Sequence, residues 1–244
     1  MRDEGASERA VVCVHGAGGG GWEWGIWARA FAVCGRPVLA PDLMPVGGGL
    51  AATRLADYRA QVVAWCAAYS ANGIDLVGAS LGGLLALMVA REVRAHAVVL
   101  VNPMPPAGLP SPAPRSPAVI RWRSDASLHA TRRALPDADE AACMYAFRRW
   151  RDESGAVLDE ARAGLVVDPP DCPVLVIASE RDLDVPPEAS RALAAMLGAD
   201  FECIAGASHV GPLLGHDAAR TASRVADWLH ARRANAKRDE SGVQ

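Results

Sequence analysis

Residues 74–90 read IDLVGASLGGLLALMVA. Ile74–Val77 is a short apolar run of the kind that forms a strand, and the segment from Leu81 onward is apolar on nearly every side, as expected of a helix packed in the middle of a molecule. Between them stands Gly78-Ala79-Ser80-Leu81-Gly82, a Gly-x-Ser-x-Gly pattern. The pattern alone says little, because small residues occur in any turn. Its setting says more. A serine on a sharp strand-to-helix turn has its hydroxyl lifted clear of the sheet, and the glycines beside it let neighbouring chains approach more closely than a Cβ allows. The free N–H groups that open the helix point at the same place and favour developing negative charge. A serine that only caps a helix after a tight turn is the alternative.

Outward from this turn, short apolar runs alternate with helical patterns, which predicts an α/β fold built on a mostly parallel sheet. Candidate strands are Ala10–His15, Arg36–Ala40, Ile74–Ala79, Ala97–Val101, Pro173–Ala178 and Phe201–Ile204. They read as continuous apolar runs because both faces of such a sheet are covered. Leu55, Val62, Cys66 and Tyr69 form one helical stripe, and Ala218, Ala222, Val225 and Leu229 form another near the end. Beyond Arg233 the polar tail is expected to fray. The stretch NPMPPAGLPSPAPRSP from Asn102 holds too many prolines for a helix or sheet interior. Residues 103–170 are therefore expected to form a helical cap over the sheet's carboxyl edge, inserted between core segments 1–102 and 171–244. Its arginines are balanced by Asp125, Asp137, Asp139, Glu140, Asp152 and Glu153, the pattern of a solvated helical surface.

A serine hydroxyl is a poor nucleophile without a base. Of the six histidines, His209 lies in GASHVGP, a loop directly after the last candidate strand, where side chains reach over the carboxyl ends of parallel strands. His216 follows on a helix and is the weaker candidate. The segment PVLVIASERDLDVPP offers Glu180, Asp182 and Asp184. Asp182 lies in the loop, whereas Asp184 stands where an acid serves the start of the next helix. Ser80, Asp182 and His209 then follow the chain order of nucleophile-elbow hydrolases. After the first strand comes His15-Gly16-Ala17-Gly18, whose Ala17 N–H would join that of Leu81 to form an oxyanion hole, with His15 holding the loop by hydrogen bonds.

The same loop carries a rival reading. Gly16–Gly21 satisfies G-x-G-x-x-G after a strand, and Asp42 stands where a ribose-binding acid would belong, so an NAD(P)-dependent oxidoreductase is an alternative. Against it, Trp22, Trp24 and Trp27 crowd a helix start that a dinucleotide site needs small, and the serine turn, Asp182 and His209 are left without a role. Cys13 and His15 share a strand face, but no second pair completes a metal-ligand set, and no metal or cofactor is expected.

Composition narrows the remaining classes. The chain has 244 residues, 51% of them hydrophobic, and a net charge of −3, which points to neither nucleic acid nor an anionic membrane as partner. Six cysteines without C-x-x-C spacing fit a reducing compartment. The opening MRDEGASERA lacks an apolar leader, so a cytoplasmic location is expected.

The segments HGAGGGGWEW, PDLMPVGGG, LVGASLGG, PVLVIASERDLDVP and GASHVGPLLG together resemble the α/β-hydrolase superfamily over nearly the whole chain outside the insertion. The opening also has a short similarity to plant-type esterases and hydroxynitrile lyases. The resemblance implies a parallel sheet trimmed to about six strands, helices on both faces and a small helical lid. It also implies acyl transfer to water from an ester or thioester of a small organic substrate, through an acyl-enzyme on Ser80. C–C bond cleavage on the same residues and a non-catalytic binding role are its alternatives. Relatives with an aspartate nucleophile carry Asp at the elbow, where this chain has Ser80. The pocket is expected between the lid and Trp22, Trp24 and Met104.

Overall fold

The computed structural model describes residues 9–69, 73–109 and 115–241. Six strands, β1 (Ala10–Val14), β2 (Val38–Leu39), β3 (Ile74–Ala79), β4 (Ala97–Val101), β7 (Val174–Ser179) and β8 (Asp200–Ile204), form one sheet in the order β2-β1-β3-β4-β7-β8. Every pairing in it is parallel, with Val11 opposite Val38 and Asp75, and Val101 opposite Ile177. The strands form because their β-branched runs can be buried on both sides. Val12, Val14, Leu76, Val98 and Val176 feed one core, while Val11, Cys13, Val77, Val99 and Ile177 feed the other.

Helices cover both faces. Helix α2 (Leu55–Ala67), α3 (Leu81–Val89), α6 (Gly155–Arg162) and α7 (Pro187–Leu197) pack on the first core, and α1 (Gly25–Val33), the short α8 (Gly211–Leu214) and α9 (Ala218–Ser241) on the second. The buried stripe of α2 is Leu55, Tyr58, Val62 and Cys66; Tyr69 lies past the helix end and is exposed. Helix α3 is buried almost all round, from Leu81 to Val89. Helix α9 runs on to Ser241 rather than ending near Arg233, because ARRANAKRDES holds strong helix formers and no glycine or proline.

Between β4 and β7 the chain forms α4 (Leu128–Ala134), α5 (Glu140–Phe147) and α6. It also forms a two-stranded antiparallel pair, β5 (Val119–Ile120) with β6 (Glu153–Ser154), which the sequence did not suggest. Strands of two residues are too short to show any alternation. Part of the proline-rich stretch, residues 110–114, lies outside the described residues. Among the described residues no helix is long and apolar enough to cross a membrane.

Candidate active site

Ser80 stands between β3 and α3 with φ 52° and ψ −119°. A side chain at positive φ costs about 1–3 kcal/mol, so the surroundings must impose it. They do so through backbone bonds. Ser80 N donates to Val101 O at 2.9 Å, and its carbonyl accepts Gly83 N at 3.0 Å and Met104 N at 3.0 Å. Glycine is obligatory on either side of the turn, since a Cβ on Gly78 would lie 2.2 Å from Gly82 O, and one on Gly82 would lie 2.1 Å from Val14 O.

His209 lies between β8 and α8, and its Nδ1 is 2.7 Å from Asp182 Oδ2. Asp182, on the loop after β7, has its side chain almost wholly buried, at 1% exposure. Its Oδ1 accepts the Asp184 and Val185 amides, both at 2.9 Å. Asp182 is thus the carboxylate bonded to the imidazole, while Asp184 is exposed and supplies a backbone amide. A neutral His209 with its proton on Nδ1 donates to Asp182 and turns a bare Nε2 elsewhere. Burial pulls the imidazole's pKa down, but the hydrogen bond and charge of Asp182, helped by Asp184, outweigh it and leave it above the ordinary 6.5.

Ser80 and His209 line one cavity of about 470 Å³ together with Ala17 and Gly18. The glycine loop lies against the serine, because a Cβ on Gly16 would be 3.1 Å from Ser80 Cβ. The amides of Ala17 and Leu81 have no acceptor among the described residues. Burial drives the His15 pKa down to about 4, so its ring is neutral. Its Nδ1 donates to Gly16 O at 2.8 Å and its Nε2 accepts Leu43 N at 2.8 Å, which fastens the loop to the chain after β2.

Of the three expected pocket residues, Met104 lines the cavity and Trp22 and Trp24 do not. The turn Gly21–Trp24 directs Trp24 into the second core, edge-on to Trp27 at 5.4 Å. Trp22 stands one layer back, edge-on to Trp150, and it is Trp150 and Trp122, from the segment between β4 and β7, that line the cavity. That turn also bears on the dinucleotide reading. Asp42 Oδ1 accepts Gly21 N at 2.8 Å and its other oxygen pairs with Arg151 at 3.4 Å. The side chains of Glu23 and Trp22 crowd Gly19 and Gly20, within 2.0 Å and 2.7 Å of where a Cβ would stand. The chain's own side chains thus occupy the space beside Gly19 and Gly20.

Asp182, Asp184 and His209 bring three potential metal-ligand atoms within 4.8 Å of one another. Both Asp182 oxygens are already engaged, one by two amides and one by the imidazole.

Four residues of the site's surroundings were given no part in the site by the sequence. Asn102, at φ 44°, donates from Nδ2 to His209 O at 2.7 Å and to Ser179 Oγ at 2.8 Å. Its place at the end of the strand next to the serine's was the one available hint. Glu23 is buried under the glycine loop and accepts Gly20 N at 3.3 Å. Asp137 and Glu153, expected among the solvated charges of the insertion, instead face inward and bond the His209 loop and the glycine loop.

A parallel sheet covered on both faces, with a strained serine at the end of β3 and a carboxylate-bonded histidine after β8, defines a hydrolase-type fold. The chain belongs to the alpha/beta hydrolase family, whose profile matches residues 11–224. A metagenome-derived lipolytic enzyme of the LipS and LipT pair superposes with a TM-score of 0.70 at 20% identity, covering 93% of this chain and 95% of its own. Tomato methylketone synthase I gives 0.72 at 15% identity, covering 92% and 99%. A pyrethroid hydrolase from Sphingobium faniae gives 0.68 at 18% identity, covering 94% and 99%. No curated protein sequence matches the chain.

Proposed function

We propose that the protein is a serine hydrolase that cleaves an ester or thioester of a small, largely apolar organic substrate. The observation that carries this reading is the His209–Asp182 bond of 2.7 Å, with His209 opening onto the same cavity as the strained Ser80. His209 Nε2 takes the Ser80 proton as the hydroxyl oxygen attacks the carbonyl carbon. Asp182 holds the imidazole in the required tautomer and stabilises the imidazolium. The Ala17 and Leu81 amides receive the oxyanion, each donor contributing about 10²–10³ in rate. The imidazolium protonates the departing alcohol or thiol, and a water activated by His209 then releases the acid from Ser80. Met104, Trp122, Leu158, Val185 and Pro186 supply the apolar wall against which the substrate's organic part packs.

The test is labelling with a fluorophosphonate probe, wild type beside Ser80→Ala, with the modified peptide located by mass spectrometry. An adduct on Ser80 that the variant loses supports the reading. A folded wild type that takes up no probe, or an Ala variant that keeps most of its ester hydrolysis, refutes it.

A further inference from the structure

At two places in the segment between β4 and β7, a carboxylate accepts a backbone amide of a loop that carries a proposed reacting group. On one side, Glu153 Oε2 accepts Gly18 N at 3.1 Å. That amide belongs to the residue after Ala17. The other oxygen, Oε1, accepts the Tyr58 hydroxyl and the Ser154 amide, both at 2.8 Å. Glu153 is 3% exposed and forms no ion pair among the described residues, so its orientation rests on these three donors. Gly18 is held from its carbonyl side as well, by Arg151 N at 2.8 Å, and the Trp122 ring stands close beside it. Gly18 has φ +70° and a Cβ on it would stand 2.3 Å from the Trp122 ring, so both backbone shape and contact require glycine there.

On the other side, Asp137, in the turn between α4 and α5, accepts the Ser208 hydroxyl at 2.5 Å and the Ser208 amide at 3.0 Å. Ser208 precedes His209 directly. The Asp137 carbonyl accepts His216 N at 3.0 Å, so one residue of the insertion spans both ends of α8. Gly211 leaves room for this carboxylate, since a Cβ there would lie 2.0 Å from Asp137 Oδ2.

We propose that Asp137 and Glu153 are positioning residues of the reaction: Asp137 holds the His209 loop and Glu153 holds the glycine loop, so the cap is a fixed part of the machinery rather than a lid that swings clear of it. The proposal rests on the serine-hydrolase reading above. Neither carboxylate reaches the cavity, and each acts through the backbone it orients. The chemistry needs His209 Nε2 at the Ser80 hydroxyl and the Ala17 amide at the oxyanion at the same moment, and a misplacement of about 1 Å costs on the order of 10²-fold in rate. Substrate packing uses other side chains of the cap, so binding is expected to survive loss of either tether.

The experiment compares wild type with Asp137→Asn, Asp137→Ala, Ser208→Ala and Glu153→Gln. It reads p-nitrophenyl acetate turnover, the rate of fluorophosphonate capture by Ser80, and hydrogen exchange of the Gly18 and Ser208 amides. The expected result is a kcat and a capture rate lowered about tenfold to a hundredfold, with KM within about twofold. Exchange should quicken at Ser208 in the Asp137 variants and at Gly18 in Glu153→Gln. Adding Ser208→Ala to Asp137→Ala should cost little further, because both remove the same contact. If Glu153→Gln does not fold, that cycle alone decides for the histidine side. Variants that melt earlier but turn over at the wild-type kcat overturn the positioning role, as does a raised KM at unchanged kcat. A wild type with protected amides that captures no probe overturns the acyl-transfer reading, and with it the catalytic role of the tethers.

Discussion

Glu23→Gln isolates a buried acid whose cost can be worked from its surroundings. Glu23 is 4% exposed, bonded at 3.3 Å to a single backbone amide, that of Gly20, and lies under Gly19. Burial raises its pKa from 4.5 to about 8, against the lowering effects of the Gly20 amide and His209; Asp42 pushes it further up. The acid is therefore protonated in the folded protein at neutral pH and ionised in the unfolded chain. Between the two values the folded state binds the extra proton, so stability falls as pH rises through that interval. At about 1.4 kcal/mol per pH unit, the loss from the unfolded value to pH 7 is about 3 kcal/mol, a large share of a typical 5–15 kcal/mol. Glutamine has the shape of the protonated acid, can accept the Gly20 amide, and does not titrate. The stability of Glu23→Gln relative to wild type should thus rise by about 3 kcal/mol from about pH 4.5 to pH 7 and level off above about pH 8. Urea unfolding followed by tryptophan fluorescence at several pH values measures this difference. Curves for the two proteins that run parallel from pH 5 to 9 would show that Glu23 titrates alike in both states, and the argument would fail.

Asp182→Asn removes the main force holding His209 above 6.5 and leaves burial to lower its pKa. Because the base acts in its neutral form, the acid limb of kcat/KM should move to lower pH, while kcat falls by roughly 10⁴ through loss of the tautomer; an unmoved limb in the pH–rate profile would remove His209 as the base. Gly82→Ala places a Cβ 2.1 Å from Val14 O and should lower stability by about 2–3 kcal/mol or more in urea unfolding. Gly25→Ala is its control: φ there is −59° and nothing lies within 4 Å of the new Cβ, so stability should hold or rise by about 0.4–1 kcal/mol.

The strands and the positions of the candidate site residues were legible because each satisfies a local demand that leaves a local pattern. Two-sided burial requires the unbroken runs at Val11–Val14 and Val98–Val101. The tight turn at Ser80 requires Gly78 and Gly82, and Asp182 and His209 stand just past strand ends in the expected loops. The direction of a side chain in a single short turn has no such pattern. In GWEW, Trp22 and Trp24 were expected at the pocket, but the turn sends Trp24 into the core and Glu23 under the loop. The tail of α9 was misjudged differently: polarity suggested fraying, where intrinsic helix preference carries it to Ser241.

Asp137 and Glu153 mark the deeper limit. Nothing in composition separates them from Glu140, which pairs with Arg132 on the exposed surface. What sets them apart is a backbone amide brought to them from 71 residues away in one case and 135 in the other. A carboxylate that serves its own helix sits at a fixed offset from the amide it caps, as Asp139 does for Ala142. One that serves a distant loop has no fixed offset, so only the folded chain shows the pair. The traces left in the sequence are on the receiving side, in Gly18 and Gly211, whose missing side chains make room for Trp122 and Asp137. Glycines in a loop beside a reacting residue thus mark where another segment must come close, and the partner is then sought among acids that local charge balance does not need.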